Sequence, residues 1–226
     1  MTLKEIIYDI RNSARAGGIT DDERVSYRQV KEWINQYRAL LIRRDLDKDR
    51  TITPHIVQDL NCVKLIKVDK AECCNISSKC DVLRTESKIP VPVELALKDA
   101  IIYVGSVNKT EGYELSSPVM SHWDKFNKYT SGIPKAYFFN GYIYITNEDF
   151  LEYINIRIIA SDPTQAANFN SCTGDPCYTD ESDYPVSKHM VPTIKQMIFE
   201  QELKLTLSTD PDLQNNSIGV DAKSQG

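Results

Sequence analysis

The chain of 226 residues lacks the patterns that mark most nucleotide-binding and metal-dependent proteins. Its nine glycines form neither G-x-G-x-x-G nor G-x-x-x-x-G-K, which excludes both of these phosphate-binding loops. The three histidines, His55, His122 and His189, have no partner at the spacing of metal ligands. We therefore predict no catalytic residue and no cofactor, and we expect a protein that is not an enzyme.

Long apolar runs and an excess of positive charge are also missing. No stretch approaches the length of a membrane span, and charged residues interrupt the first turns, so we expect no signal peptide and an intracellular protein. With 27 Lys and Arg against 32 Asp and Glu, the net charge of −5 argues against a protein that grips nucleic acid. The six cysteines are too few to replace a core, and inside a cell we expect them reduced.

Apolar side chains at helical spacing predict three helices. Residues 2–15 carry the first stripe, Leu3, Ile6, Ile7, Ile10 and Ala14. Residues 20–49 carry the clearest one, Val30, Trp33, Ile34, Tyr37 and Leu41. Thr20 and Glu23 have the spacing of a capping box, and we interpret Arg38, Arg43 and Arg44 as a solvated helix end. Residues 191–206 carry the third stripe, Ile194, Met197, Ile198 and Leu205.

Between the second and third helices the sequence changes to the patterns of β-strands. Residues 62–68 and 100–107 are rich in β-branched and apolar side chains. Residues 136–139 and 142–145 flank Asn140-Gly141, the preferred pair for a type I′ turn, which predicts a hairpin. Residues 153–160 alternate between apolar and polar side chains, and we expect them to add a third strand to an antiparallel meander.

The order of these elements predicts an α+β fold. We expect a helical bundle built from the N-terminal and C-terminal helices, residues 1–50 and 188–207, with an antiparallel β-rich insertion at residues 51–160 between them. Residues 161–187 are polar and predict a long loop, and residues 208–226 predict a flexible C-terminal tail.

Two groups of cysteines are candidates for a metal site. Cys73, Cys74 and Cys80 form one group, and Cys172 and Cys177 form the other. If Cys74, Cys80, Cys172 and Cys177 converged, they would make a small zinc-stapled binding module, which is the alternative function. Their spacings fit zinc pairs poorly, so free cysteines are the simpler interpretation. A hydrolase with a reactive cysteine is a further alternative.

Four tyrosines fall in the predicted hairpin region, Tyr137, Tyr142, Tyr144 and Tyr153. Tyrosine is enriched in protein interfaces, so these residues form either a binding face or part of the core.

Several stretches resemble a known group of viral proteins. They are the opening MTLKEII, the segment ITDDERVSYRQVKEWINQYRALLIRRDLDKD, the segment VDKAECC and the segment VLRTESKIPVPV. Together they resemble the head–tail connector proteins, also called adaptor, ring or tail tubular proteins, of crAss-like and related short-tailed Bacteroidetes bacteriophages.

This resemblance implies a structural protein that forms a homo-oligomeric ring, commonly twelve-fold, at the head–tail junction of the virion. It implies contacts with the portal protein and with neighbouring tail or ring proteins. It also implies a channel through which double-stranded DNA passes without sequence-specific binding. Assembly in the cytoplasm of the host bacterium is expected.

Overall fold

The structure, a computed structural model, describes residues 1–14, 25–48, 51–69, 81–123, 126, 128–129 and 132–203. In these residues a seven-stranded mixed sheet nearly closes into a barrel. A few helices from both ends of the chain pack against one end of this sheet.

Three of the four α-helices in the described residues, all but the short third one, form where the apolar stripes predict them. The four are α1 (Leu3–Ala14), α2 (Tyr27–Leu46), α3 (Pro118–Trp123) and α4 (Met190–Met197), and a π-helix (Ile198–Leu203) continues α4. The predicted stripes of α1 and α2 are confirmed, because all their residues are buried except Ala14 and Leu41, which are half-buried. The observed N-cap of α2 is Ser26, whose Oγ accepts a hydrogen bond from the Gln29 N–H at 3.2 Å. The capping box at Thr20 and Glu23, and also Leu205, lie outside the described residues.

Seven strands make up the sheet. They are β1 (Gln58–Asp69), β2 (Asp81–Thr85), β3 (Ile101–Gly105), β4 (Glu114–Leu115), β5 (Lys135–Phe139), β6 (Tyr142–Thr146) and β7 (Tyr153–Ile158). Their order across the sheet is β3-β7-β1-β2-β6-β5-β4, and every pair is antiparallel except β4 with β5. The hairpin at Asn140-Gly141 is confirmed, because both residues have the positive φ angles, 51° and 87°, that a type I′ turn requires.

The first and last strands of this order, β3 and β4, follow each other in the chain and approach at one end. Gly105 and Gly112 form a β-bridge there, and the Tyr113 N–H donates to the Val104 carbonyl at 2.7 Å. A Cβ on Gly105 would lie 2.2 Å from the carbonyl oxygen of Glu111. Glycine is therefore needed at this position for the two edges to come together.

The prediction of a helical bundle with an antiparallel insertion was wrong. The main architecture is the sheet, which encloses its own core of alternating side chains such as Leu60, Ile143 and Ile156. The predicted meander was also wrong, because β7 pairs with β1 and β3 rather than with β6. Apolar periodicity defines which residues form a strand, but it does not encode which strands become neighbours.

A buried arginine joins the helices to the sheet. Arg38 of α2 is 0% exposed, and its guanidinium donates to the carbonyls of Pro185 at 2.6 Å, Ala160 at 2.7 Å and Ile56 at 3.3 Å. Its guanidinium also lies 5.6 Å from the centre of the Tyr184 ring. The interpretation of Arg38 as part of a solvated helix end was therefore wrong. Three chain segments that are distant in sequence meet at this one side chain.

Candidate interaction surface

The structure places the candidate zinc ligands in different situations. Cys172 forms a disulfide with Cys62, with the two Cα atoms 5.2 Å apart, which differs from the expectation of reduced cysteines. A bulge in β1 and the positive φ of 53° at Cys62 direct its side chain toward Cys172. Cys73, Cys74 and Cys80 lie outside the described residues. Within the described ranges no group of three or more His, Cys, Asp and Glu residues is placed to hold a metal ion.

Cys177 is the free thiol of the described chain and is half-buried. Burial raises the pKa of its thiol, while a hydrogen bond with the backbone of Asn61 acts in the opposite direction. A catalytic cysteine needs a lowered pKa, because the thiolate is the nucleophile. This environment therefore gives the reactive-cysteine alternative no support, and the disulfide gives the zinc-stapled module none.

The segment of residues 161–187 is in contact with the rest of the chain. It contains a 3-10 helix (Pro163–Asn168), the disulfide-bonded Cys172, and two buried tyrosines, Tyr178 and Tyr184. The Tyr184 hydroxyl donates to Asn35 Oδ1 of α2 at 2.7 Å. These contacts do not depend on a neighbouring subunit.

Three of the four singled-out tyrosines lie on the outer face of the sheet. Tyr137 and Tyr144 are opposite each other on β5 and β6, and their rings stack with centres 5.1 Å apart. The Arg84 guanidinium lies 4.1 Å from the centre of the Tyr142 ring. All three tyrosines are half-buried, whereas Tyr153 lies apart at the start of β7. A role of this face in binding stays a prediction.

An open apolar groove lies at the end of the sheet that faces the helices. Its volume is about 860 Å³, and its walls come from the end of α2, the turn at residues 95–98, the start of β3, the end of β4 and Phe138. Leu97 at the tip of that turn is 99% exposed, and Ile52 and Leu115 are 45% and 41% exposed. Exposed leucine and isoleucine grouped around a groove are typical of an interaction site.

A second exposed apolar position lies at the opposite end of the sheet. Phe150 is 91% exposed on the loop between β6 and β7, and Tyr153 beside it is 43% exposed. The loop precedes β7, whereas Ile159, just beyond the last residue of β7, lines the groove. The six residues of β7 therefore separate the two apolar regions by about 20 Å.

A surface ion cluster lies on the outside of β1 and β7. Asp59 accepts hydrogen bonds from Arg157 Nε at 2.7 Å and from Lys109 Nζ at 3.0 Å. Burial acts to raise the pKa of the Asp59 carboxyl, but these two cations outweigh it and hold the pKa below its usual value. The cluster fixes the turn after β3 against the sheet.

Comparison with known proteins identifies the family. The chain matches the family described as phage tail ring protein 2 over residues 5–221, which is nearly its whole length. No curated protein matches it. In the described part of the chain, no helix has the length and apolar character to cross a membrane. The match gives the chain a structural role in a tail ring and a location in the virion, in agreement with the resemblance drawn from the sequence. The chain belongs to the phage tail ring protein 2 family of crAss-like phages.

Proposed function

We propose that copies of this chain form a closed homo-oligomeric ring at the head–tail junction, docked beneath the portal and joined to the next tail or ring protein. The observation that carries this proposal is the family match over residues 5–221. We expect the ring to contain twelve copies. Assembly takes place in the host bacterial cytoplasm before the virion is released.

The distribution of exposed apolar side chains supports a ring. A closed ring is built from heterologous contacts, in which one surface of a subunit meets a different surface of the next. The groove around Leu97 and the region of Phe150 lie at opposite ends of the sheet. Two separate apolar surfaces on one subunit fit this kind of contact.

The charge supports a channel that DNA passes through without being held. Neutralising DNA phosphates requires lysine and arginine, and binding strength rises with the number of such contacts. A chain with net charge −5 gives a ring whose total charge is strongly negative, so that DNA slides through it. The protein's activity in this proposal is binding and assembly, not catalysis.

Electron microscopy of purified phage particles tests the proposal. Gold-labelled antibody against this chain should mark the single tail-bearing vertex, and antibody pre-incubated with the purified chain serves as the control. A reconstruction of that vertex should then show a ring of seven-stranded barrels around the DNA axis, whose copies can be counted. Labelling spread over the capsid, or particles unlabelled even after disruption, would remove the proposal.

A further inference from the structure

We propose that the groove receives the C-terminal segment, residues 204–226, of a neighbouring copy, with Ile218 and Val220 as the anchoring side chains. This inference rests on the proposed ring, because it assigns one contact between adjacent subunits. The argument has three parts: the open edge of the sheet, the chemistry of the segment, and its reach.

The groove lies where the sheet stays open. Beyond Val104 and Tyr113, β3 and β4 are not paired in the described sheet. Continued along the two edges, the register of the bridged Gly105 and Gly112 would bring Ile102 opposite Leu115, two pairs beyond Val104 and Tyr113, and both residues line the groove. Unpaired strand edges recruit extended segments, which add backbone hydrogen bonds to the sheet.

The C-terminal segment has the chemistry that such an edge accepts. Residues 217–221 read Ser-Ile-Gly-Val-Asp, in which apolar side chains alternate with small or polar ones. In an extended chain Ile218 and Val220 point to the same side, and both are β-branched residues that favour strands. The family match extends to residue 221 and therefore includes this stretch.

The segment is long enough to reach a neighbour. The described chain ends at Leu203, and the Tyr37 hydroxyl of α2 bonds Gln201 and Glu202 at 2.9 and 2.8 Å, which places that end beside the middle of α2. The groove starts at Leu46, nine residues further along α2, or about 14 Å away. About five extended residues after Leu203 are therefore enough for the segment to reach the groove of its own subunit.

Many more than five residues lie between Leu203 and the anchoring side chains, Ile218 and Val220. Residues 204–217 span up to about 46–50 Å when extended, and a folded chain of this length is about 45 Å across. The anchors can therefore cross one subunit to the groove of the next. In a closed ring each subunit supplies one segment and one groove, so that every groove is filled.

Two complementary variants of the full chain test this assignment. The groove variant carries Leu97→Asp and Ile52→Asp at two exposed positions, so the fold is retained while the groove is blocked. The segment variant carries Ile218→Asp and Val220→Asp. Sedimentation of each variant alone should show monomer, whereas the mixture should form a complex of one copy of each and nothing larger, since the remaining two surfaces are disabled.

A second readout detects a weak contact. With isoleucine methyl groups labelled in the segment variant, adding the unlabelled groove variant should shift the Ile102 resonance. The dissociation constant should rise at least tenfold when the added copy carries both pairs of substitutions. The matched control is the groove variant with a further Tyr8→Asp change, because Tyr8 is an exposed residue of α1 outside both apolar regions, and it should shift Ile102 as the groove variant does.

The other outcomes overturn the assignment. If Ile102 differs between wild type and the segment variant at every dilution, the segment occupies its own groove. If the mixture forms no complex and Ile102 does not move, the groove belongs to another partner. If the mixture forms no complex but the gold label marks the tail vertex, only this contact is refuted. If the mixture forms the complex but the phage particles stay unlabelled, the head–tail location is refuted and the contact still holds.

Discussion

Replacing Arg38 by methionine removes the only described side chain that ties α2 to three other segments by hydrogen bonds. Methionine has a similar length and no polar atoms, so the change mainly removes the charge and its donors. The carbonyls of Pro185, Ala160 and Ile56 would lose their guanidinium partner inside the protein. We expect a large loss of stability with the fold otherwise retained.

The size of the loss follows from opposing contributions. The two short bonds, at 2.6 and 2.7 Å, are each worth about 1.5–3 kcal/mol because the donor is charged. The third, at 3.3 Å, adds less. Burial lowers the pKa of Arg38, although Tyr184, Asp162 and Tyr178 counteract this effect. Because a buried cation is unfavourable, its removal offsets part of the stability lost with the hydrogen bonds. The net destabilisation should be about 3 kcal/mol, a large share of the about 5–15 kcal/mol of a typical domain.

Urea unfolding followed by tryptophan fluorescence measures this difference, since Trp33 lies in the same buried cluster as the helices. Arg44→Met is the matched control, because Arg44 is exposed on the same helix and its loss should change the free energy of unfolding by about 0.5 kcal/mol or less. Arg38→Lys should fall between the two, since an ammonium cannot reach three carbonyls at once. An Arg38→Met loss no larger than that of the control would refute the reasoning.

Three further changes test other parts of the structure by the same unfolding measurement. Cys62→Ser should lower the free energy of unfolding by about 2–4 kcal/mol, and reduction of the wild type should have the same effect. Cys177→Ser is the control and should change it by about 1 kcal/mol or less. Equal losses for the two variants would contradict the disulfide. Asp59→Asn should lose about 1 kcal/mol at neutral pH. Because the pKa of Asp59 is lowered in the folded protein, the difference in stability between wild type and variant should disappear as the pH falls through that pKa. A difference that does not change with pH would contradict the ion pairs. Gly105→Ala should lose about 1–3 kcal/mol through overpacking, with Gly132→Ala, where a Cβ meets nothing within 4 Å, as the nearly neutral control.

The local elements were predictable because their signals lie within a few neighbouring residues. The stripes of α1 and α2 and the positive φ pair at Asn140-Gly141 each follow from spacing or turn chemistry in one short window. The dominance of the sheet was not predictable in this way. Pairing of Leu60 with Ile156 joins residues almost a hundred positions apart, and many isoleucines would satisfy the same apolar pattern.

The burial of Arg38 was missed although the sequence contains a signal for it. Arg38 follows Ile34 by four residues and Val30 by eight, which places it on the buried stripe of α2. Its charge suggested the solvated end of the helix instead. The partners that make burial possible are carbonyls, which leave no mark in a sequence. The disulfide is similar, since Cys62 and Cys172 are separated by 110 positions.

The open end of the sheet connects the fold to the role of the family. A sheet that closes completely has no exposed edges, whereas an edge left open beside exposed apolar side chains favours uncontrolled association. Here β3 and β4 close at Gly105 and diverge at the groove, where Leu97 is fully exposed. In a solitary protein this arrangement is a liability. In the proposed ring it would become useful, because a neighbouring copy would cover the edge and the same contact would fix the direction in which the next subunit is added.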